Sequence, residues 1–222
     1  MSTYVLMRIL ESAPRRYDFG IRLLTLAHLD KAYDRLAGHI ERGQQVLDLG
    51  CGTGALTLRA AQRGAKVRGI DINARMLEIA LTRVQKAKLT EVVDLVEMGV
   101  AELDGEEAQR YDAVMSGLCL SELSENEVTY TLKEVVRILR PGGLLLIADE
   151  IRPQGFAKRL IHSLIRVPFA ALAYVISQQT THPAPNLPEK LRDAGLSILS
   201  VRLNLIGSFS EFVAQKPAGT SL

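Results

Sequence analysis

Asp48-Leu49-Gly50-Cys51-Gly52-Thr53-Gly54 is the stretch of this chain whose residue types and spacing point most directly to ligand chemistry. Glycines at alternate positions let the backbone turn tightly and bring a ligand against bare main chain. Asp48 puts a carboxyl group at the head of the same loop. A second carboxylate, Asp71, follows in Gly69-Ile70-Asp71-Ile72-Asn73. It lies about 20 residues beyond the glycines, the spacing at which an acid at the tip of a neighbouring strand reaches ribose hydroxyls.

A glycine turn alone is a common structural device in α/β proteins, and the paired Asp71 argues against that plain reading. A dinucleotide site is the sharper competitor. Its fingerprint is Gly-x-Gly-x-x-Gly, whereas here the spacing is Gly50-x-Gly52-x-Gly54 behind an acidic Asp48. A carboxylate beside the loop attracts a cation and repels a pyrophosphate. Geometry and charge favour a nucleoside that carries an amino acid and a sulfonium.

Apolar periodicity supplies the elements that must position these residues. Helical spacing of Ile21, Leu24, Ala27 and Leu36 marks an N-terminal helical cap over 1–43. Val46 to Leu49 is an apolar run stopped by glycines, as expected of a buried strand. Thr53 to Gln62 reads as a helix, Lys66 to Ile70 as a strand, and Asn73 to Lys86 as an amphipathic helix capped by Asn73. Val92 to Glu97 and Asp112 to Ser116 are further strands. Glu125 to Leu139 is a helix with Val128, Leu132, Val135, Val136 and Leu139 inward, and Arg140-Pro141-Gly142-Gly143 is a breaker before the strand Leu144 to Ala148. A helical insertion at about 152–185, with its helix over Gly155 to Gln178, precedes a short helix at Leu187 to Ala194. Strands near Ile198 to Leu205 and Phe209 to Gln215 close the chain around Gly207 and Ser208 as a hairpin. The predicted fold is therefore α/β: a doubly wound, Rossmann-like sheet of seven strands, mostly parallel, with an antiparallel C-terminal hairpin, in one domain over 44–222.

With these motifs in order, the sequence resembles the class I methyltransferase family. VLDLGCGTG matches its glycine motif, GIDIN its acidic second motif, YDAVMSGLCLSEL its fourth strand and following loop, and LRPGGLLLIADE its fifth strand. The resemblance covers roughly Gln44 to Glu150 and implies S-adenosyl-L-methionine as cofactor and S-adenosyl-L-homocysteine as product. It implies that Gly50, Cys51, Gly52 and Gly54 line the methionine moiety with Asp48 near its ammonium, that Asp71 holds the ribose and that Ile72 lies against adenine, with Met76 in the same set. Many relatives carry an acid followed by alanine after the third strand, to contact the adenine amino group. Here Gly99-Val100-Ala101-Glu102 places valine at the acidic position, so Val100, Ala101 and Glu102 are the candidates for that edge. Ser116, Gly117 and Leu118 are expected beneath the sulfonium. Tyr17, next to Asp18, matches a pair that caps the cofactor in small-molecule relatives, including quinone-ring C-methyltransferases.

Methyl transfer from a sulfonium is an in-line displacement whose reactivity the cofactor carries, and the protein chiefly aligns the partners. A base is needed only where the acceptor must lose a proton. Relatives acting on small molecules often have a histidine pair where this chain has Ser121 and Glu122, so Glu122, His28, His182 and Tyr17 are the candidates for catalysis. No triad and no metal-spaced Cys/His cluster occurs, and no metal is expected. The loop Ser116-Gly117-Leu118-Cys119 lacks the Pro-Pro-aromatic motif of amino-directed DNA and protein methyltransferases.

Formal net charge is +2 on 222 residues, with both signs spread along the chain, which argues against nucleic acid as a partner. Cys51 and Cys119 do not make a disulfide framework, Met1 to Leu10 is a poor secretory peptide, and the uncharged run Val167 to Ser177 is far shorter than the roughly 20 residues of a membrane span. A cytoplasmic setting follows. The basic, apolar 155–178 segment, with Arg152, Lys158, Arg159 and Arg166 nearby, suits a lid over a small hydrophobic acceptor, a protein-docking helix, or a helix peripheral to a membrane. The stretch TYVLMRILESAPRRYDFGIRLLTLAHLDKAYDRL is also similar to methyltransferases associated with corrinoid proteins, which implies a corrinoid-protein system as partner. The alternative function is then an accessory protein that binds the cofactor and docks that partner without turnover.

Overall fold

The computed structural model describes residues 28–150, 186–204 and 209–219. Tyr17, His182, the 155–178 segment and Gly207 and Ser208 lie outside the described residues, as does the chain ahead of His28. The strands are β1 (Gln45–Leu49), β2 (Lys66–Asp71), β3 (Val93–Glu97), β4 (Tyr111–Gly117), β5 (Leu139–Glu150), β6 (Ser197–Leu203) and β7 (Phe209–Gln215). The helices are α1 (His28–Ala37), α2 (Ala55–Gln62), α3 (Ala74–Lys86), α4 (Glu125–Ile138) and α5 (Leu187–Asp193).

All seven strands join one sheet in the order β3-β2-β1-β4-β5-β7-β6. The first five in that order pair in parallel, and β7 runs antiparallel to both β5 and β6. An Asn204 amide donating to the Phe209 carbonyl at 3.0 Å closes the hairpin. Strand order reverses between β1 and β4, so their C-terminal ends flank the crevice where sheets of this kind take ligands.

Alternating side chains feed two cores. Leu146 and Ala148 of β5 join Val46 and Met115 under α1 and α2, while Leu145 and Ile147 join Leu47, Leu49 and Val114 under α4 and α5. Helix α1 is held by more than apolar contact. Arg35 donates from Nε and Nη2 to the Glu211 carboxylate of β7, at 2.8 and 2.5 Å. Two caps start helices where their sequences ask for them. Asn73 Oδ1 accepts from the amides of Arg75 and Met76, and Ser124 and Glu127 form a reciprocal capping box on α4.

Three expectations are corrected. Helix α2 starts at Ala55, not Thr53, because Gly54 occupies its cap in the left-handed conformation (φ 79°). Leu139 ends no helix; it pairs with Tyr111 as the first residue of β5. The expected breaker at 140–143 is instead a bulge within that strand, since the next pair is Ala113 with Leu144. The structure also adds 3-10 turns at Val100–Gly105 and Leu120–Glu122. Among the described residues, no helix is long and apolar enough to cross a membrane.

Candidate functional site

A cleft of about 300 Å³ opens at the C-terminal ends of β1, β2 and β4. Gly50, Gly52, Asp71, Ile72, Met76, Val100, Ala101, Gly117, Leu118 and Glu122 all reach its wall. A smaller adjoining pocket brings in Asp48 and Cys51. Gly54, Glu102 and Ser116 are not brought to the cleft. A side chain on Gly54 would meet Ala80 of α3 at 3.1 Å, so that glycine serves helix packing. Glu102 turns its carboxylate back to accept from the Gly99 amide at 3.0 Å. Ser116 is fully buried in β4, and its hydroxyl has no partner among the described residues. His28 opens α1.

The loop's own hydrogen bonds decide what it can hold. The Cys51 amide donates to Ile70 O at 2.9 Å, the Gly54 amide to Cys51 O at 2.8 Å, and the Gly52 amide to Asp71 Oδ2 at 2.8 Å. These donors would otherwise cradle a phosphate. Their commitment inside the protein removes three donors from any such cradle. Gly50 and Gly52 hold left-handed backbone at φ 62° and 52°. A side chain on Gly50 would collide with Cys119 Sγ at 2.7 Å, whereas one on Gly52 would meet nothing within 4 Å. Gly52 therefore faces open cleft.

Asp71 stands at the tip of β2 with both oxygens engaged. Oδ2 takes the Gly52 amide, and Oδ1 takes the Asn73 amide at 2.8 Å. Burial raises its pKa, and these two amides oppose the rise. Each oxygen keeps further acceptor capacity. Beside it, Ile72 is 77% exposed, an apolar surface directed at the same cleft.

Asp48 is fully buried and accepts from Thr57 Oγ1 at 2.5 Å. Burial pushes its pKa up to about 7, against the Thr57 hydrogen bonds, and the Asp71 charge adds to the rise. Cys119 lines the cleft, and burial together with Glu122, Asp149, Asp71 and Asp48 holds its thiol well above the ordinary range. It is no nucleophile at neutral pH. The same carboxyl groups, as they ionise, create a negative potential that suits a cationic ligand.

Tyr33 was not visible as a site residue. It lines the smaller pocket with Asp48 and Gly117, and its hydroxyl occupies the space that a side chain on Gly117 would need. Nothing in helical periodicity distinguishes it from an ordinary core aromatic. Leu118 also stands out. It adopts φ 59°, a left-handed backbone unusual for leucine, with its amide donating to Ala148 O at 2.9 Å. Among the described residues, no group of His, Cys, Asp and Glu could hold a metal.

Open left-handed backbone at Gly52, a fixed carboxylate at Asp71 and exposed Ile72 fit an adenosyl group, and the surrounding carboxyl groups fit its positively charged tail. Residues 46–143 match the family model of a methyltransferase domain. The chain is 31% identical over 163 residues to the demethylmenaquinone methyltransferase of Tropheryma whipplei (strain Twist), covering 73% of this chain and 64% of that protein. It thus spans less than two thirds of that relative's length. A Synechocystis sp. methyltransferase is 30% identical over 178 residues, covering 79% of this chain and 77% of the relative. Among solved structures, the geranyl diphosphate C-methyltransferase of Streptomyces coelicolor A3(2), in complex with S-adenosyl-L-homocysteine, shares the fold. Its TM-score is 0.65 at 16% identity, covering 90% of this chain and 82% of that one. The chain belongs to the class I S-adenosylmethionine-dependent methyltransferases.

Proposed function

We propose that this protein methylates a small, hydrophobic acceptor of the quinone-ring kind. The observation that carries the reading is Asp71, fixed by the Gly52 and Asn73 amides beside exposed Ile72. In this reading Asp71 holds the ribose hydroxyls, Ile72 and Met76 flank adenine, and Gly50 and Gly52 let the methionine moiety approach the backbone. The carboxyl groups around the loop, Asp48 among them once it ionises near pH 7, supply the field that holds the ammonium. When bound, the cofactor supplies an electrophilic methyl group for in-line displacement.

The rest of the work belongs to the chain. The cleft's apolar lining, Leu118 among it, excludes water and suits a flat, hydrophobic acceptor. The substrate class in the Tropheryma relative's name is of that kind. Glu122 lines the cleft beside Cys119 and is the candidate to accept a proton if the acceptor must lose one. Tyr17, His28 and His182 stay candidates from the sequence, as does docking of a protein or membrane surface through 155–178.

Calorimetric titration with S-adenosylmethionine, S-adenosylhomocysteine and NAD tests the cofactor half. Binding of the first two without NAD is expected, and binding of NAD alone would overturn it. Mass-spectrometric detection of a methyl group added to a reduced demethylated naphthoquinone tests the acceptor half. Cofactor binding with no methylation of any hydrophobic ring acceptor would favour an accessory role without turnover.

A further inference from the structure

We infer that Glu127, on α4, is the acceptor that reads the exocyclic amino group of the cofactor's adenine. The inference rests on the cofactor reading above and names how that site tells adenine from a deaminated base. Adenine presents an amino group that donates hydrogen bonds, and its neighbours must supply an acceptor to distinguish it from an oxo group.

The segment nearest the expected adenine edge brings no polar side chain of its own to the cleft wall. Val100 offers no polar side chain. The Ala101 carbonyl accepts from Tyr130 Oη at 3.1 Å, and Glu102, whose Oε1 accepts from the Gly99 amide, does not line the cleft. Glu122 also lines the cleft, and its amide donates to the Cys119 carbonyl.

Glu127 fills the gap. It lines the same cleft as Val100, Ala101 and Leu123. It also lies one helical turn before Tyr130 on the same face of α4. Because Tyr130 donates to Ala101, that face is set against the Val100–Ala101 segment. Farther along, Arg137 Nη2 donates to Leu103 O at 2.8 Å, so α4 follows this turn of chain for much of its length. The Ser124 amide donates to Glu127 Oε2 at 2.7 Å and fixes the carboxylate, while Oε1 accepts no hydrogen bond among the described residues. Bonds from the Ser124 hydroxyl and amide hold the group below the usual carboxylate range, so it is an anion at neutral pH. A carboxylate in this position accepts from an amino group and repels an oxo group.

The test compares calorimetric binding of S-adenosylhomocysteine with that of its deaminated analogue, S-inosylhomocysteine, in full-length wild type and in Glu127→Ala. A helix cap with no other role would weaken both ligands equally when removed. The wild type is expected to prefer the adenosyl ligand by about tenfold or more, and Glu127→Ala to compress the preference to within about twofold. If Glu127→Ala does not fold, Glu127→Gln keeps an acceptor for the Ser124 amide and offers an NH₂ to the oxo group, so the preference must still shrink. An unchanged preference in the folded variant overturns the assignment, and so does a wild type that does not discriminate. Binding of neither ligand by wild type overturns the cofactor reading, and this assignment with it.

Discussion

Asp48 and Thr57 share a hydrogen bond of 2.5 Å from hydroxyl to carboxyl oxygen, and both residues are buried from water. Burial raises the Asp48 pKa from 3.8 to about 7, so the folded protein holds a proton that the unfolded chain releases. Stability from this group is therefore complete below about pH 4 and is lost as pH rises towards about 7, at up to roughly 1.4 kcal/mol per pH unit crossed. Asp71, also raised, acts with the same sign. Urea titrations across this window should show Asp48→Asn flattening the decline. A wild-type slope retained in the variant would place the titrating group elsewhere.

Asp71→Ala should fold and lose most of its affinity for S-adenosylhomocysteine. Charge-assisted hydrogen bonds are worth about 1.5–3 kcal/mol each, so a loss of at least tenfold in Kd is expected by calorimetry. Affinity equal to wild type would mean that the ribose lies elsewhere.

Gly52→Ala separates binding from folding. The new methyl meets no neighbour, so the stability cost is confined to left-handed backbone, about 1–2 kcal/mol. Its effect on cofactor affinity should be much larger than its effect on Tm, because that methyl projects into the cleft.

Gly117→Ala drives a methyl group into the Tyr33 ring. Overpacking of this kind costs about 1–3 kcal/mol. Tyr33→Ala removes the obstacle, so the double variant should be more stable than the two single losses predict together. Additive denaturation free energies would show that the two residues do not meet.

Much of this architecture could be read in advance where local and global demands agree. Buried parallel strands such as Val46–Leu49 carry unbroken apolar runs, and the glycines and Asn73 mark their own turns and caps. The stretch at 140–143 was misread because proline and glycine break helices and bulge strands alike. Gly54 and Glu102 carry the right residue types, yet long-range packing and a local cap claim them. Tyr33 and the Cys119 approach to Gly50 depend on elements far apart in sequence, which no window of neighbouring residues displays.

The Arg35–Glu211 pair has a consequence for the order of assembly during synthesis. Tyr33 and Leu29, which wall the smaller pocket, ride on α1, and α1 is fastened to β7 by a pair whose members lie 176 residues apart in sequence. The nascent chain can thus build the glycine loop, the β2 tip and the Arg59 contacts to Asp30 and Asp34 of α1 before β7 adds the final tie.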